Sequence, residues 1–201
     1  MKFFLYRFLK ITLSIFLKVF YRFEVFGSEN VPDRGGAIVA ANHASYLDPP
    51  VIAAALKRCP TYIAKEGLFK VPLLGPFIRL FSFPVKRGKT LPSTIKEAVS
   101  RLKEGEIIVI FPEGGRSADG NILEAKRGVG MIAALSRIPV IPVLIEGTDK
   151  ALPMGVKLLR PAKIKVIFGN PIIIEKEKDR DFQERFSKNV MEAIKDLKAK
   201  A

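Results

Sequence analysis

Short apolar runs separated by helix-like stretches constrain this chain more than any other feature. The runs fall at 37–41, 61–64, 81–85, 107–111, 140–145 and 163–168, and most are unbroken. A strand with water on one face alternates apolar and polar residues, so an unbroken run marks a strand covered on both faces. The stretch 21–27 does alternate, as Tyr-Arg-Phe-Glu-Val-Phe-Gly, and is expected to form a half-buried strand. Between the runs, 49–56, 72–80, 92–103, 127–136 and 182–198 carry helical spacing. Pro92 suits a first helical turn, and Gly105 suits the stop after Lys103 and Glu104. The last stretch aligns Phe182, Phe186, Val190, Ile194 and Leu197 on one packing stripe. Strands alternating with helices predict an α/β domain over 23–201, with a mixed, largely parallel sheet flanked by helices. A length of 201 residues fits a single such domain, and no repeat or low-complexity segment interrupts it.

Residues 1–22 differ from the rest. They are rich in Phe, Leu and Ile, carry Lys2, Arg7, Lys10, Lys18 and Arg22, and have no acid before Glu24. The longest uncharged run, 11–17, is far short of the ~20 apolar residues of a spanning helix. Interspersed charges and the lack of a small-residue cleavage site argue against a signal peptide. Arg7, Lys10, Ser14, Lys18 and Arg22 recur at helical spacing, while Leu5, Phe8, Leu9, Leu13, Phe16 and Phe20 cover much of the remaining circumference. Such a helix can lie in the membrane interface, or it can pack its apolar face on the sheet. Three Phe-bearing flanks exceed what one packing stripe needs, which favours an amphipathic, membrane-associated helix ahead of the domain.

Charge and ligand counts narrow the functions. Lys+Arg 34 against Asp+Glu 20 gives a net charge of +14, which favours an anionic partner. The aromatics do not interleave with basic residues on an obvious platform, so nucleic acid is not the expected partner. A single cysteine, Cys59, excludes an intramolecular disulfide and fits a reducing compartment. With one histidine as well, the usual zinc sites are excluded and no metal is expected. Neither a P-loop nor a G-x-S-x-G elbow is present, and Gly128 with Gly130 is too weak for a dinucleotide fingerprint.

Three segments carry chemistry. Asn42-His43-Ala-Ser-Tyr-Leu-Asp48-Pro49 follows a predicted strand and precedes a predicted helix. Asp48 is a natural N-cap there and Pro49 suits the first helical position. The turn can fold the imidazole of His43 back to the Asp48 carboxylate, leaving the other ring nitrogen to accept a proton from a hydroxyl. Taken alone, the pair reads better as a helix cap beside a turn residue, because His and Asp five residues apart occur often by chance. In 107–117 a buried strand runs into Pro112, Glu113, Gly114, Gly115 and Arg116. Gly114 and Gly115 let the backbone turn with its amides turned toward an anion, Arg116 adds a fork of donors, and Glu113 can accept from a hydroxyl. The third segment places Lys65 and Arg87 near strand ends beside glycine, which suits a phosphate.

Over nearly its whole length the chain resembles the lysophosphatidic acid acyltransferase family, the PlsC-like glycerolipid acyltransferases. Asn42-His43-x4-Asp48 matches the N-H-x4-D motif, and Lys65, Leu68, Gly75 and Arg87 resemble the second motif. Phe111 to Ser117 resembles F-P-E-G-T-R-S, with Gly115 in place of threonine, and Val140-Ile141-Pro142-Val143 resembles the fourth. One N-terminal helix is evident where members often carry two. The resemblance implies direct acyl transfer from acyl-CoA or acyl carrier protein (ACP) to the sn-2 hydroxyl of 1-acylglycerol-3-phosphate, giving phosphatidic acid. His43 would be the base, oriented by Asp48. Arg87, Arg116 and Lys65 would hold the phosphate, and Glu113 would position the glycerol. No cofactor is implied, and the expected place of work is the cytoplasmic face of a membrane, with the protein monotopic or peripheral. A different lysolipid acceptor, or a non-catalytic basic membrane-binding module, are the alternatives. His43→Ala and Asp48→Ala are each expected to cost orders of magnitude in turnover and to spare the fold.

Overall fold

Strands at Glu24–Phe26 (β1), Ala37–Ala41 (β2), Pro60–Lys65 (β3), Ser82–Val85 (β4), Ile107–Ile110 (β5), Val140–Glu146 (β6) and Lys165–Phe168 (β7) join in one sheet. The computed structural model describes residues 2–72, 74–85, 92–174 and 179–199. The sheet order is β1-β7-β6-β2-β5-β3-β4, and every pair is parallel except β6 with β7. Helices lie at Lys2–Tyr21 (α1), Asp48–Ala55 (α2), Leu74–Phe81 (α3), Pro92–Lys103 (α4), Gly128–Ser136 (α5), Thr148–Ala151 (α6) and Arg180–Ala199 (α7). This is the expected mixed, largely parallel α/β sheet.

The unbroken apolar runs have the cause inferred for them. On β2, Ala37, Val39 and Ala41 face one core, which also holds Val51, Ile52 and Leu56 from the α2 region. Ile38 and Ala40 face the other, with Ile132 of α5, Leu102 of α4 and Val190 of α7. On β5, Ile107 and Val109 take the first side and Ile108 and Ile110 the second. Both faces of these central strands are covered, so neither face has a place for a polar residue. Gly130 is required by the layer of α5 and α7: a Cβ there would lie 2.1 Å from the carbonyl oxygen of Gln183.

Two elements depart most from expectation. The alternating stretch 21–27 supplies only the three strand residues of β1, because α1 runs on through Tyr21. Leu17 and Tyr21, one helical turn apart, are both buried in the first core, and the chain leaves the helix at Arg22 with φ of 47°. That burial outweighs the strand-like pattern. The short helix α6 was not foreseen; four residues are too few for periodicity to register.

The first helix packs and projects at once. Tyr6, Leu13, Leu17 and Tyr21 form its inner stripe, and the Tyr6 hydroxyl donates to the carbonyls of Ala53 and Arg58. Lys10, expected on an outward basic stripe, instead lies on this packed side and donates to the Leu56 carbonyl. That carbonyl lies at the end of α2, where the helix dipole favours a cation. Burial, with Lys57 nearby, lowers the Lys10 pKa. Outward, Phe4, Phe8, Ile11, Ile15, Val19 and Phe20 remain exposed. No helix among the described residues is long and apolar enough to cross a membrane.

Candidate active site

The topology gathers the motif residues before any side chain is considered. β2 and β5 are parallel neighbours, with Ala40 opposite Ile110. The chain leaving β2 enters α2 on one face of the sheet, and the chain leaving β5 reaches α5 on the other. Loops that diverge in this way open a crevice at the carboxyl ends of the two strands, where α/β sheets bind ligands. His43 lies in the first loop and Glu113 in the second.

Hydrogen bonds fasten the two loops together. The His43 amide donates to Glu113 Oε1 at 2.8 Å, and the Ser117 amide donates to the His43 carbonyl at 2.8 Å. Asn42 ties the same turn to β6: its side-chain oxygen accepts from the Ile145 amide at 2.7 Å, and its amide donates to the Ile145 carbonyl at 2.9 Å. The backbone of His43 is thereby fixed on both sides. Its ring stacks on Phe111, centroids 4.0 Å apart and planes 20° from parallel.

Asp48 is fully buried and approaches from behind. Its Oδ2 lies 2.7 Å from His43 Nδ1 and accepts from the amides of Ala44 at 2.7 Å and Ser45 at 2.8 Å. Among the described residues its Oδ1 accepts no hydrogen bond. The expectation of an N-cap is corrected. Leu47 is the capping residue, and Asp48 opens the helix with its side chain directed back into the turn rather than forward onto the helix amides. This places its charge in the first turn, where the helix dipole favours it. An imidazole donating from Nδ1 to the carboxylate keeps Nε2 as the acceptor. Nε2 has no partner among the described residues, and the His43 side chain is 17% exposed.

Glu113 is buried, and both of its oxygens already receive backbone amides, Oε1 that of His43 and Oε2 that of Leu123 at 3.1 Å. Sequence reasoning assigned this carboxylate to a substrate hydroxyl; its geometry is that of a clamp between two loops. Burial raises its pKa despite those hydrogen bonds. An acid with a raised native pKa holds its proton more tightly folded than unfolded. Stability from this group therefore falls as pH rises from the ordinary carboxylate range through the raised value. Glu113→Gln keeps one acceptor and sets an NH2 group against the other amide. It is expected to lower kcat about tenfold or more by loosening the His43 turn. Its melting temperature relative to wild type should rise with pH across that interval, measured by thermal unfolding at a series of pH values.

The basic residues divide. Arg116 lies over the ring of Tyr46, its guanidinium carbon 3.5 Å from the centroid, so it is held beside the His43 turn by a residue of that same turn. Lys65 is exposed at the carboxyl end of β3, the same end of the sheet as the His43 and Glu113 loops. Arg87 lies outside the described residues. The Gly114 amide donates to the Phe111 carbonyl at 3.0 Å, so it closes the turn rather than facing a ligand. A Cβ on Gly114, whose φ is 68°, would lie 2.9 Å from the ammonium of Lys126. Lys126 thus reaches the motif turn from outside it and escaped sequence reasoning, as did Tyr46 and the Phe111 platform. Around Gly115 a Cβ would meet nothing within 4 Å.

A histidine oriented by a buried carboxylate, at the carboxyl ends of neighbouring strands of an α/β sheet, has the geometry to accept a proton from a hydroxyl at Nε2. The chain belongs to the acyltransferase family, whose model matches residues 22–146. A 1-acyl-sn-glycerol-3-phosphate acyltransferase of Bacillus subtilis is 33% identical over 172 residues, spanning 84% of this chain and 82% of that one. The chloroplastic 1-acyl-sn-glycerol-3-phosphate acyltransferase LPAT1 of Arabidopsis thaliana is 32% identical over 168 residues, 81% of this chain but only 47% of its own length. The crystal structure of the LPA acyltransferase PlsC from Thermotoga maritima matches with a TM-score of 0.82 at 30% identity, covering 98% of this chain and 81% of that one.

Proposed function

We propose that the chain transfers a fatty acyl group from acyl-CoA or acyl-ACP to the sn-2 hydroxyl of 1-acylglycerol-3-phosphate, giving phosphatidic acid. The observation that carries this reading is the 2.7 Å contact of His43 Nδ1 with Asp48, which leaves Nε2 as the acceptor. His43 Nε2 takes the proton of the acceptor hydroxyl, and the oxygen attacks the thioester carbonyl carbon. The tetrahedral intermediate collapses, the carbon–sulfur bond breaks, and the imidazolium returns its proton to the thiolate. The Asp48 charge favours the imidazolium throughout. No step needs a metal, another cofactor or a covalent acyl-enzyme.

Arg116, Lys65 and Lys126 carry their charges at this carboxyl end of the sheet, and they suit the acceptor phosphate; Arg87 completes the set by its place in the sequence. The outward face of α1 lies in the interface of an anionic membrane, which brings the enzyme to a lysolipid from the cytoplasmic side.

The test is a panel of lysolipids offered with acyl-CoA and acyl-ACP, with products identified by mass. Wild type should give phosphatidic acid from 1-acylglycerol-3-phosphate. Losing one charge-assisted contact costs about 1.5–3 kcal/mol, so Arg116→Ala should lower kcat/KM for that acceptor by about 10- to 150-fold. A neutral monoacylglycerol acceptor should be little affected. Preferential product from a lysolipid with a larger head group would replace the proposed acceptor.

A further inference from the structure

We propose that the loop 152–161, between α6 and β7, is a second membrane-inserting element beside α1, with an anionic phospholipid bilayer as its partner. This rests on the reading of α1 as an interfacial helix. The loop is fixed at its base and presents apolar side chains at its tip. The Arg160 amide donates to the Ala151 carbonyl at 2.8 Å, so the chain leaves and returns at one place. Within it, the Val156 amide donates to the Pro153 carbonyl at 3.1 Å, and Gly155, with φ of 82°, takes the turn. Leu158 is 77% exposed, Leu159 50% and Met154 45%. Adjacent leucines held open to water on a closed loop gain by entering an apolar phase.

Two observations point to lipid rather than to a protein partner. The first is charge. No Asp or Glu occurs between Asp149 and Glu175, whereas Lys157 and Arg160 bracket Leu158 and Leu159. The segment thus repeats the composition of α1, apolar side chains among cations with no acid, which suits anionic head groups above acyl chains. The second is place. Phe16, Phe20 and Tyr21 of α1 line one groove of about 280 Å³ together with Leu159, Arg160 and Pro161. The loop tip and the outward face of the helix are therefore parts of one surface. The base of the loop also touches the catalytic turn, because the Leu152 carbonyl accepts from Ser45 Oγ at 2.8 Å. Seating the loop in the bilayer would set the His43 turn at a fixed height above it.

The chain has no tryptophan, so one introduced indole reports alone. Leu159→Trp and Phe8→Trp, each in the full chain, are mixed with vesicles of phosphatidylglycerol and phosphatidylcholine, with and without brominated acyl chains. Both indoles should shift to shorter wavelength and be quenched by the brominated lipid. If Phe8→Trp responds and Leu159→Trp keeps its solution spectrum, the loop proposal is overturned and the reading of α1 stands. If neither responds, both fall. Leu158→Glu combined with Leu159→Glu should lower the vesicle-bound fraction about tenfold while transfer to a dispersed short-chain acceptor is unchanged. An unchanged vesicle-bound fraction would also overturn the proposal.

Discussion

His43→Ala should lower kcat by about 10²- to 10⁴-fold, the range a positioned acid–base group supplies. Three features make the effect large. His43 is the only histidine in the chain, so no second imidazole can take its place. Its backbone is fixed from both sides by Glu113 and Ser117, so the loss falls on the imidazole and leaves the turn intact. Its ring covers Phe111, and truncation leaves a space at a partly exposed site rather than a cavity in the core. The expected signature is a fall in kcat with KM for the acceptor nearly unchanged, because the base acts on the hydroxyl in the transition state. Steady-state kinetics and a circular dichroism spectrum separate this from unfolding.

Asp48→Asn should cost a comparable factor for a different reason. The asparagine oxygen can replace Oδ2 and still accept from the amides of Ala44 and Ser45. The negative charge is gone, however, and with it the support for the imidazolium that forms as the hydroxyl is deprotonated. The NH2 group then occupies the buried position of Oδ1, which has no hydrogen-bond partner among the described residues. A modest loss of stability should accompany the loss of turnover. Asp48→Ala is more severe, because it leaves two amides without their acceptor at about 1–3 kcal/mol for each buried group. The expectation that alanine at this position spares the fold is accordingly revised. Denaturant unfolding of the two variants should rank alanine below asparagine.

The legible part of the fold was the part ruled by burial. Strands covered on both faces become unbroken apolar runs, and β2 was bounded at both ends from its sequence alone. Pro92 and the helix stop before Gly105 were equally plain, because proline and a left-handed glycine act through local backbone geometry. Contacts between distant segments were not legible. Tyr21 has the spacing of a strand residue, and only the core beneath α1 makes it the end of a helix. Lys10 shares a face with other cations in sequence, yet the carbonyl of Leu56 holds it inward.

The same division runs through the site. The contact between His43 and Asp48 was legible because their spacing is local. Glu113 stood out in sequence, but its contacts did not, since one amide it accepts comes from the β2–α2 loop and the other from ten residues further along its own loop. Arg116 stood out in sequence, but its seat on Tyr46 depends on how two loops meet. Lys126 gave no signal at all, being one cation among many until the fold carried it over Gly114.

We propose that His43 deprotonates the acceptor for direct transfer. Its most direct test is a single-turnover reaction of purified protein with an acyl thioester and 1-acylglycerol-3-phosphate, followed by mass spectrometry of both lipid and intact protein. Direct transfer predicts phosphatidic acid from wild type with the protein mass unchanged at every time point, and a rate lowered about 10²- to 10⁴-fold in His43→Ala. An acyl adduct that forms and decays on the protein, or near-normal turnover by His43→Ala, would contradict it.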